Sequence, residues 1–239
     1  MPGDRRFEAP GETGDPHRDG GLVTAGPPPG AAAAAMILVH GRGGTARDIL
    51  SLAAHLGNPR FSYLAPEATG HTWYPNSFLA PIPSNEPGLS SGLRRLAGLV
   101  ADVERHGIPG HRIVLAGFSQ GACLVLEFAA RQARRYGAIV GFTGGLIGPP
   151  GTDRAYTGSL DGTPVFLGAG DPDPHVPWER VEETASVLGR LGGRVDLRRY
   201  PGLGHTINRD ELAAARALVE SAVLASPATS AAAEREEAS

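Results

Sequence analysis

Short apolar runs rich in β-branched residues alternate with longer segments of helical period along most of this chain, and that alternation limits the fold more than any other feature. Met36–Val39, Phe61–Ala65, Ile113–Ala116, Ile139–Phe142, Val165–Leu167 and Val195–Tyr200 read as strands. Thr45–Leu56, Leu89–His106, Gln120–Arg134, Trp178–Leu191 and Arg209–Leu224 read as helices between and after them. Most of the strand runs are almost continuously apolar, as expected where both faces of a sheet are covered. The expected fold class is therefore α/β, a mostly parallel central sheet with helices on both faces.

A chain of 239 residues has room for one such domain with tails. The first 30 residues hold 13 Gly or Pro and show no apolar period, so residues 1–35 are expected to be a disordered Gly/Pro/Ala-rich segment, with Met36 an alternative start of translation. The domain is then expected over residues 36–225, and the Ala/Ser/Glu-rich residues 226–239 as a second disordered tail. Two stretches match neither period: Thr69–Gly88, with Trp73, Tyr74, Phe78 and several prolines, and Gly144–Gly162. Irregular excursions of this length often carry function, although the second is equally well read as a plain connection.

Composition removes whole classes of chemistry. All 22 basic residues are Arg, so lysine Schiff bases, a Ser-Lys dyad and the Gly-Lys-Ser/Thr phosphate loop are excluded. The lone Cys123 forbids an intrachain disulfide and every multi-cysteine metal site, and fits a reducing, cytoplasmic location. His71, Asp171, Asp173 and His175 lack strong ligand spacing, so neither metal nor cofactor is expected. A formal net charge of −3 gives no basic field for nucleic acid, and no apolar run approaches the roughly 18 residues that span a bilayer. Arg5-Arg6 is followed by polar, Gly/Pro-laden sequence rather than the apolar stretch of an export signal.

Gly117-Phe118-Ser119-Gln120-Gly121 stands between the Ile113–Ala116 strand and the following helix. In a tight strand-to-helix turn, flanking glycines relieve clashes and the serine hydroxyl is presented at the helix N-terminus, so Ser119 is the candidate nucleophile. A serine needs a base, and only His175 and His205 follow it; His205, directly after the last strand, is the candidate. The orienting carboxylate must come from Gly170-Asp171-Pro172-Asp173-Pro174-His175, where position alone leaves Asp171 and Asp173 near parity. Oxyanion donors are expected from the backbone amide of Gln120 and from His40-Gly41-Arg42-Gly43-Gly44, with Arg42 N–H the choice. The Arg42 guanidinium reads as a surface group or a partner for an acidic substrate. His40 is expected to fix its loop by hydrogen bonding, Cys123 to be a small core residue, and Trp73 and Phe78 to wall a substrate pocket.

Val39-His-Gly-Arg-Gly-Gly44, Gly117-Phe-Ser-Gln-Gly121, Asp173-Pro-His-Val-Pro177 and Gly202-Leu-Gly-His205 together resemble the phospholipase/carboxylesterase family of α/β-hydrolases, relatives of the acyl-protein thioesterases. The resemblance covers Met36 to Leu224. It implies the α/β-hydrolase fold, oxyanion positions at Arg42 and Gln120, and Asp173, which opens Asp-Pro-x-Val-Pro, as the acid. Trp73-Tyr74-Pro75 and Asn85-Glu86-Pro87-Gly88 are similar to a bacterial carboxylesterase or dienelactone-hydrolase-like branch more than to a dedicated acyl-protein thioesterase. The expectation is a serine hydrolase of small-molecule esters or thioesters, acting through Ser119, His205 and Asp173, with no membrane insertion and with a homodimer left open. Hydrolysis of lactones or ring-cleavage products, with Arg42 or His175 meeting a carboxylate, is the second reading. A non-catalytic interaction protein is the third.

Overall fold

The computed structural model describes residues 14–224, so residues 1–13 of the expected N-terminal tail and all of 226–239 lie outside the described residues. Among the described residues seven strands form one sheet: β1 Leu22–Ala25, β2 Ala34–Val39, β3 Phe61–Pro66, β4 Ile113–Phe118, β5 Ala138–Phe142, β6 Pro164–Asp171 and β7 Arg194–Pro201. Their spatial order is β1-β3-β2-β4-β5-β6-β7, with β1 antiparallel to β3 and every other pair parallel. Strands β2 to β5 are buried or nearly so along their whole length, which is why their sequences read as unbroken apolar runs. The edge strand β7 alternates between half-buried and exposed positions instead.

Helices cover both faces. On one, α3 Gly88–Arg105, α4 Gln120–Arg131 and α5 Trp178–Arg190 share a core with the sheet through Leu96, Val100, Leu124, Leu126, Val181 and Leu188. On the other, α1 Ala46–Leu50, α2 Ala53–Leu56 and α6 Arg209–Leu224 close over Met36, Leu38, Val114 and Val140. The single helix expected over Thr45–Leu56 is broken at Ser51–Leu52. There the Ser51 amide and hydroxyl both donate to Asp48 O, at 3.2 and 2.6 Å, and Leu52 N–H to Ile49 O, so the backbone tightens to i→i−3 bonding.

The expectation of a disordered segment through Ala35 is corrected for residues 14–35. Strand β1 pairs with β3 over Leu22↔Pro66 to Ala25↔Tyr63. Ahead of it His17 is buried, its amide donating to Ser91 Oγ at 2.8 Å. Asp15 accepts from Ser91 and Arg94, and Arg95 donates to Gly20 O. The glycines that suggested flexibility allow close backbone approach: a Cβ on Gly20 would strike Glu67 O, and one on Gly26 (φ 75°) would strike Phe61 O.

The parallel register brings the carboxyl ends of β2, β4, β6 and β7 to one edge of the sheet. The loops after these strands carry Arg42, Ser119, Asp173 and His205 respectively.

Candidate active site

Ser119 occupies a strained turn between β4 and α4, at φ 54° and ψ −120°. Such a conformation costs of order 1–3 kcal/mol for a non-glycine residue and persists only where the surroundings impose it. Here the turn is clamped by Ser119 N–H to Phe142 O (3.0 Å) and Cys123 N–H to Ser119 O (2.9 Å). The two glycines are spatial necessities. A Cβ on Gly117 would lie 2.6 Å from Gly121 C, and one on Gly121 would lie 2.5 Å from His40 O.

The turn delivers the hydroxyl to His205, whose Nε2 is 2.8 Å from Ser119 Oγ. The other ring nitrogen, Nδ1, lies 2.8 Å from Asp173 Oδ2, a carboxylate with a side-chain exposure of 0%. With Nδ1–H donating to that buried carboxylate, Nε2 is left as the acceptor for the serine proton. Asp173 is oriented by its own loop: Pro174 has no amide, and the next two N–H groups, of His175 and Val176, donate to Asp173 Oδ1 at 2.7 and 2.9 Å. Asp171 is placed elsewhere. Its carboxylate is held by Arg199 Nε (2.7 Å) and Nη2, and the Arg199 guanidinium in turn lies 5.4 Å over the Trp178 ring. The His205 ring is flanked by Phe118 at 5.1 Å and, edge-on, by His175 at 4.8 Å.

Gln120 begins α4, so its backbone N–H has no intrahelical acceptor. Arg42 N–H likewise has no acceptor among the described residues, whereas Gly43 and Gly44 donate to His71 O and Gly41 O. Both side chains act on the neighbouring loop. Arg42 donates to the carbonyls of Pro75 (2.9 Å), Tyr74 (2.9 Å) and Asn76 (2.6 Å), so its guanidinium, expected as a surface group or a partner for an acidic substrate, is committed to the loop instead. Gln120 Nε2 donates to Tyr74 O (2.8 Å), and its Oε1 accepts from Trp73 N–H (2.9 Å).

A cavity of about 360 Å³ opens beside Ser119, lined among others by Arg42, Tyr74, Phe78, His175 and Val176. Phe78 is among the residues that line it. The assignment of Trp73 to the wall is corrected: its side chain is wholly buried, packs 5.2 Å from both His17 and His40, and donates from Nε1 to His40 O (2.9 Å). Its carbonyl accepts from His17 Nε2 at 2.8 Å, while His17 Nδ1 accepts from Thr69 N–H at 3.2 Å. Both His17 nitrogens are used by a neutral ring, and burial pushes its pKa below the usual imidazole range. His40 fixes its loop as expected. It accepts from Ala68 N–H and donates to Gly41 O, again as a neutral ring that burial holds below the ordinary value.

The Gly144–Gly162 stretch supports the cavity. Its start is buried and its backbone is satisfied by Thr184 Oγ1 to Leu146 N–H, Glu127 Oε2 to Ile147 N–H, and Arg180 Nη1 to the carbonyls of Leu146 and Gly148. Gly148 N–H then donates to Phe78 O at 2.7 Å. Sequence reasoning missed the supporting roles of His17, Glu127 and Arg180. A histidine among glycines, or a charged residue inside an amphipathic helix, carries no local signal of a distant backbone partner. No cluster of three or more His, Cys, Asp or Glu side chains arranged to hold a metal occurs among the described residues, and none of the described helices is long and apolar enough to cross a membrane.

A solved phospholipase/carboxylesterase from Dyadobacter fermentans is 45% identical and superposes with a TM-score of 0.82, covering 84% of this chain and 96% of that one. Acyl-protein thioesterase 1 from Debaryomyces hansenii is 28% identical over 135 residues, 56% of this chain and 58% of the relative. The protein of the same name from Gibberella zeae is 37% identical over 108 residues, 44% and 46% respectively. The chain thus aligns with only about half the length of these thioesterases. The sequence profile of the phospholipase/carboxylesterase family matches residues 25–222. With that match and the sheet order described above, the chain belongs to the phospholipase/carboxylesterase family and has the α/β-hydrolase fold.

Proposed function

We propose that this protein is a carboxylic ester hydrolase in which Ser119 is the nucleophile, His205 the general base and acid, and Asp173 the orienting carboxylate. The observation that carries the reading is the continuous hydrogen-bonded line Ser119 Oγ, His205 Nε2, His205 Nδ1, Asp173 Oδ2, with both contacts at 2.8 Å. Ser119 Oγ attacks the ester or thioester carbonyl while its proton passes to His205 Nε2, and Asp173 stabilises the imidazolium. The oxyanion accepts from the amides of Arg42 and Gln120. On collapse the carbon–oxygen or carbon–sulfur bond breaks, and the leaving group takes the proton from Nε2. Water, deprotonated by the same nitrogen, then releases the acid from the acyl-enzyme. The cavity of about 360 Å³ suits a small or short-chain acyl group. The commitment of the Arg42 guanidinium to three carbonyls weighs against a carboxylate clamp at that position.

Fluorophosphonate labelling tests the nucleophile: the wild type is expected to be labelled and Ser119→Ala not. With p-nitrophenyl acetate, Asp173→Asn is expected to lower kcat about 10⁴-fold by presenting the wrong imidazole tautomer. Asp171→Asn, which weakens only the pair with the exposed Arg199, should leave activity within about threefold. Labelling that survives Ser119→Ala, or the reverse ranking of the two aspartates, contradicts the assignment.

A further inference from the structure

A second recess, of about 280 Å³, shares Arg42 with the Ser119 cavity but is otherwise built from different residues, including Ile49, Leu52, Phe118 and Ile207. Ile49 is buried, and the other three are partly buried and pack on the apolar core of that sheet face. Gly41 and Arg42 are among its lining residues, so it adjoins the backbone proposed to hold the oxyanion. Asp48 stands on its wall as a carboxylate, held below the usual range by hydrogen bonds from the Thr45 hydroxyl and amide. The Arg42 guanidinium is turned to the carbonyls of Tyr74, Pro75 and Asn76.

Reaction geometry says which part of a substrate meets this surface. With the oxyanion on the Arg42 and Gln120 amides, the leaving atom must face His205 Nε2 to receive its proton. That is the side on which Phe118 packs 5.1 Å from the imidazole and Ile207 follows His205 by two residues. We propose that the recess is a leaving-group subsite, which takes the uncharged aliphatic chain of the substrate's alcohol while the acyl group occupies the cavity beside Phe78. The proposal rests on Ser119 being the nucleophile. Asp48 disfavours an anionic alcohol portion by like-charge repulsion, and no cationic group is free among the wall residues to offset it.

The experiment measures kcat/KM for the ethyl, propyl and butyl esters of acetic acid. All three give the same acyl-enzyme and their alcohols are nearly equal in reactivity, so differences report contacts to the alkyl chain. Each methylene withdrawn from water is expected to raise kcat/KM about fourfold in the wild type. Leu52→Gln and Ile207→Asn, at half-buried positions, should flatten this series. The same variants should not alter the dependence of p-nitrophenyl esters on acyl length. A flat wild-type series, an unchanged slope in both variants, or an altered acyl series overturns the subsite. Fluorophosphonate labelling verifies that each variant is folded and competent, and if Ile207→Asn disturbs His205, Leu52→Gln decides. Absence of both labelling and ester cleavage in the wild type sinks the esterase reading and the subsite together, whereas a labelled, active enzyme with a flat alcohol series loses the subsite alone.

Discussion

Replacing His17 by alanine asks whether the segment ahead of β1 is structurally part of the domain. The substitution removes the donor to the buried Trp73 carbonyl, and an orphaned buried acceptor costs about 1–3 kcal/mol. Loss of the bond from Thr69 N–H costs about 1 kcal/mol more. Loss of the edge-on contact with the Trp73 ring adds about 0.5–1.5 kcal/mol. A total near 3–4 kcal/mol lowers Tm by about 10 °C in a domain of this size. The difference should be largest at pH 8. Burial depresses the His17 pKa, so above about pH 6.5 the ring is neutral in both folded and unfolded chains and its stabilisation is complete. Below that pH the unfolded chain takes up the proton first, wild-type stability falls, and the two proteins converge. Calorimetric melts at pH 5 to 8, with KM for p-nitrophenyl acetate measured at pH 8, provide the test. A variant melting within about 2 °C of wild type at pH 8, with KM unchanged, would refute the reasoning. A chain starting at Met36 loses β1 as well as His17 and uncovers the β3 edge, and should melt lower still.

Gly121→Ala should abolish fluorophosphonate labelling, because the added carbon meets the carbonyl oxygens of Val39 and His40, which are fixed backbone; labelling at the wild-type rate would contradict the close-packed turn. Cys123 is fully buried, and burial pushes its thiol up to about 12, so a disulfide reagent at pH 8 should modify no thiol in the native protein and one after unfolding. Glu211, wholly buried, has its carboxyl raised to about 7 by desolvation. The folded chain therefore holds this proton longer than the unfolded one, and stability drains away as pH rises from about 4.5 to 7, by about 3 kcal/mol at most. Glu211→Gln, a neutral isostere, should gain on the wild type by that amount between pH 5 and 8 in urea titrations; parallel curves would contradict the buried acid.

What could be read from the sequence was whatever is decided locally. β2, β4 and β5 are covered on both faces and announce themselves as apolar runs, and the Ser119 turn requires its two glycines within five residues. β1 was hidden because its four residues, Leu22–Ala25, are largely exposed and show no apolar period, while the flanking Gly20 and Gly26 are used for contact with Glu67 and Phe61. Asp171 ends β6 and Asp173 lies two residues beyond it, and what separates them is remote: Arg199 holds one and His205 meets the other. Trp73 looked like a pocket residue because an aromatic in an irregular loop carries no local sign of its neighbours. Its bonds come from His17, His40 and Gln120, three segments far apart in the chain.

The grip of Arg42 and Gln120 on the pocket loop has a consequence for redesign. Arg42 takes hold of residues 74 to 76 by their carbonyl oxygens, and Gln120 Nε2 uses the Tyr74 carbonyl as well. Backbone carbonyls are present whatever the side chains are. Pro75 and Ser77, exposed at the rim of the cavity, can therefore be exchanged to reshape its mouth while Arg42 and Gln120, whose amides face the proposed oxyanion, keep the same partners. The cavity mouth and the proposed reactive groups are separable parts in this scaffold, joined by interactions that are blind to sequence.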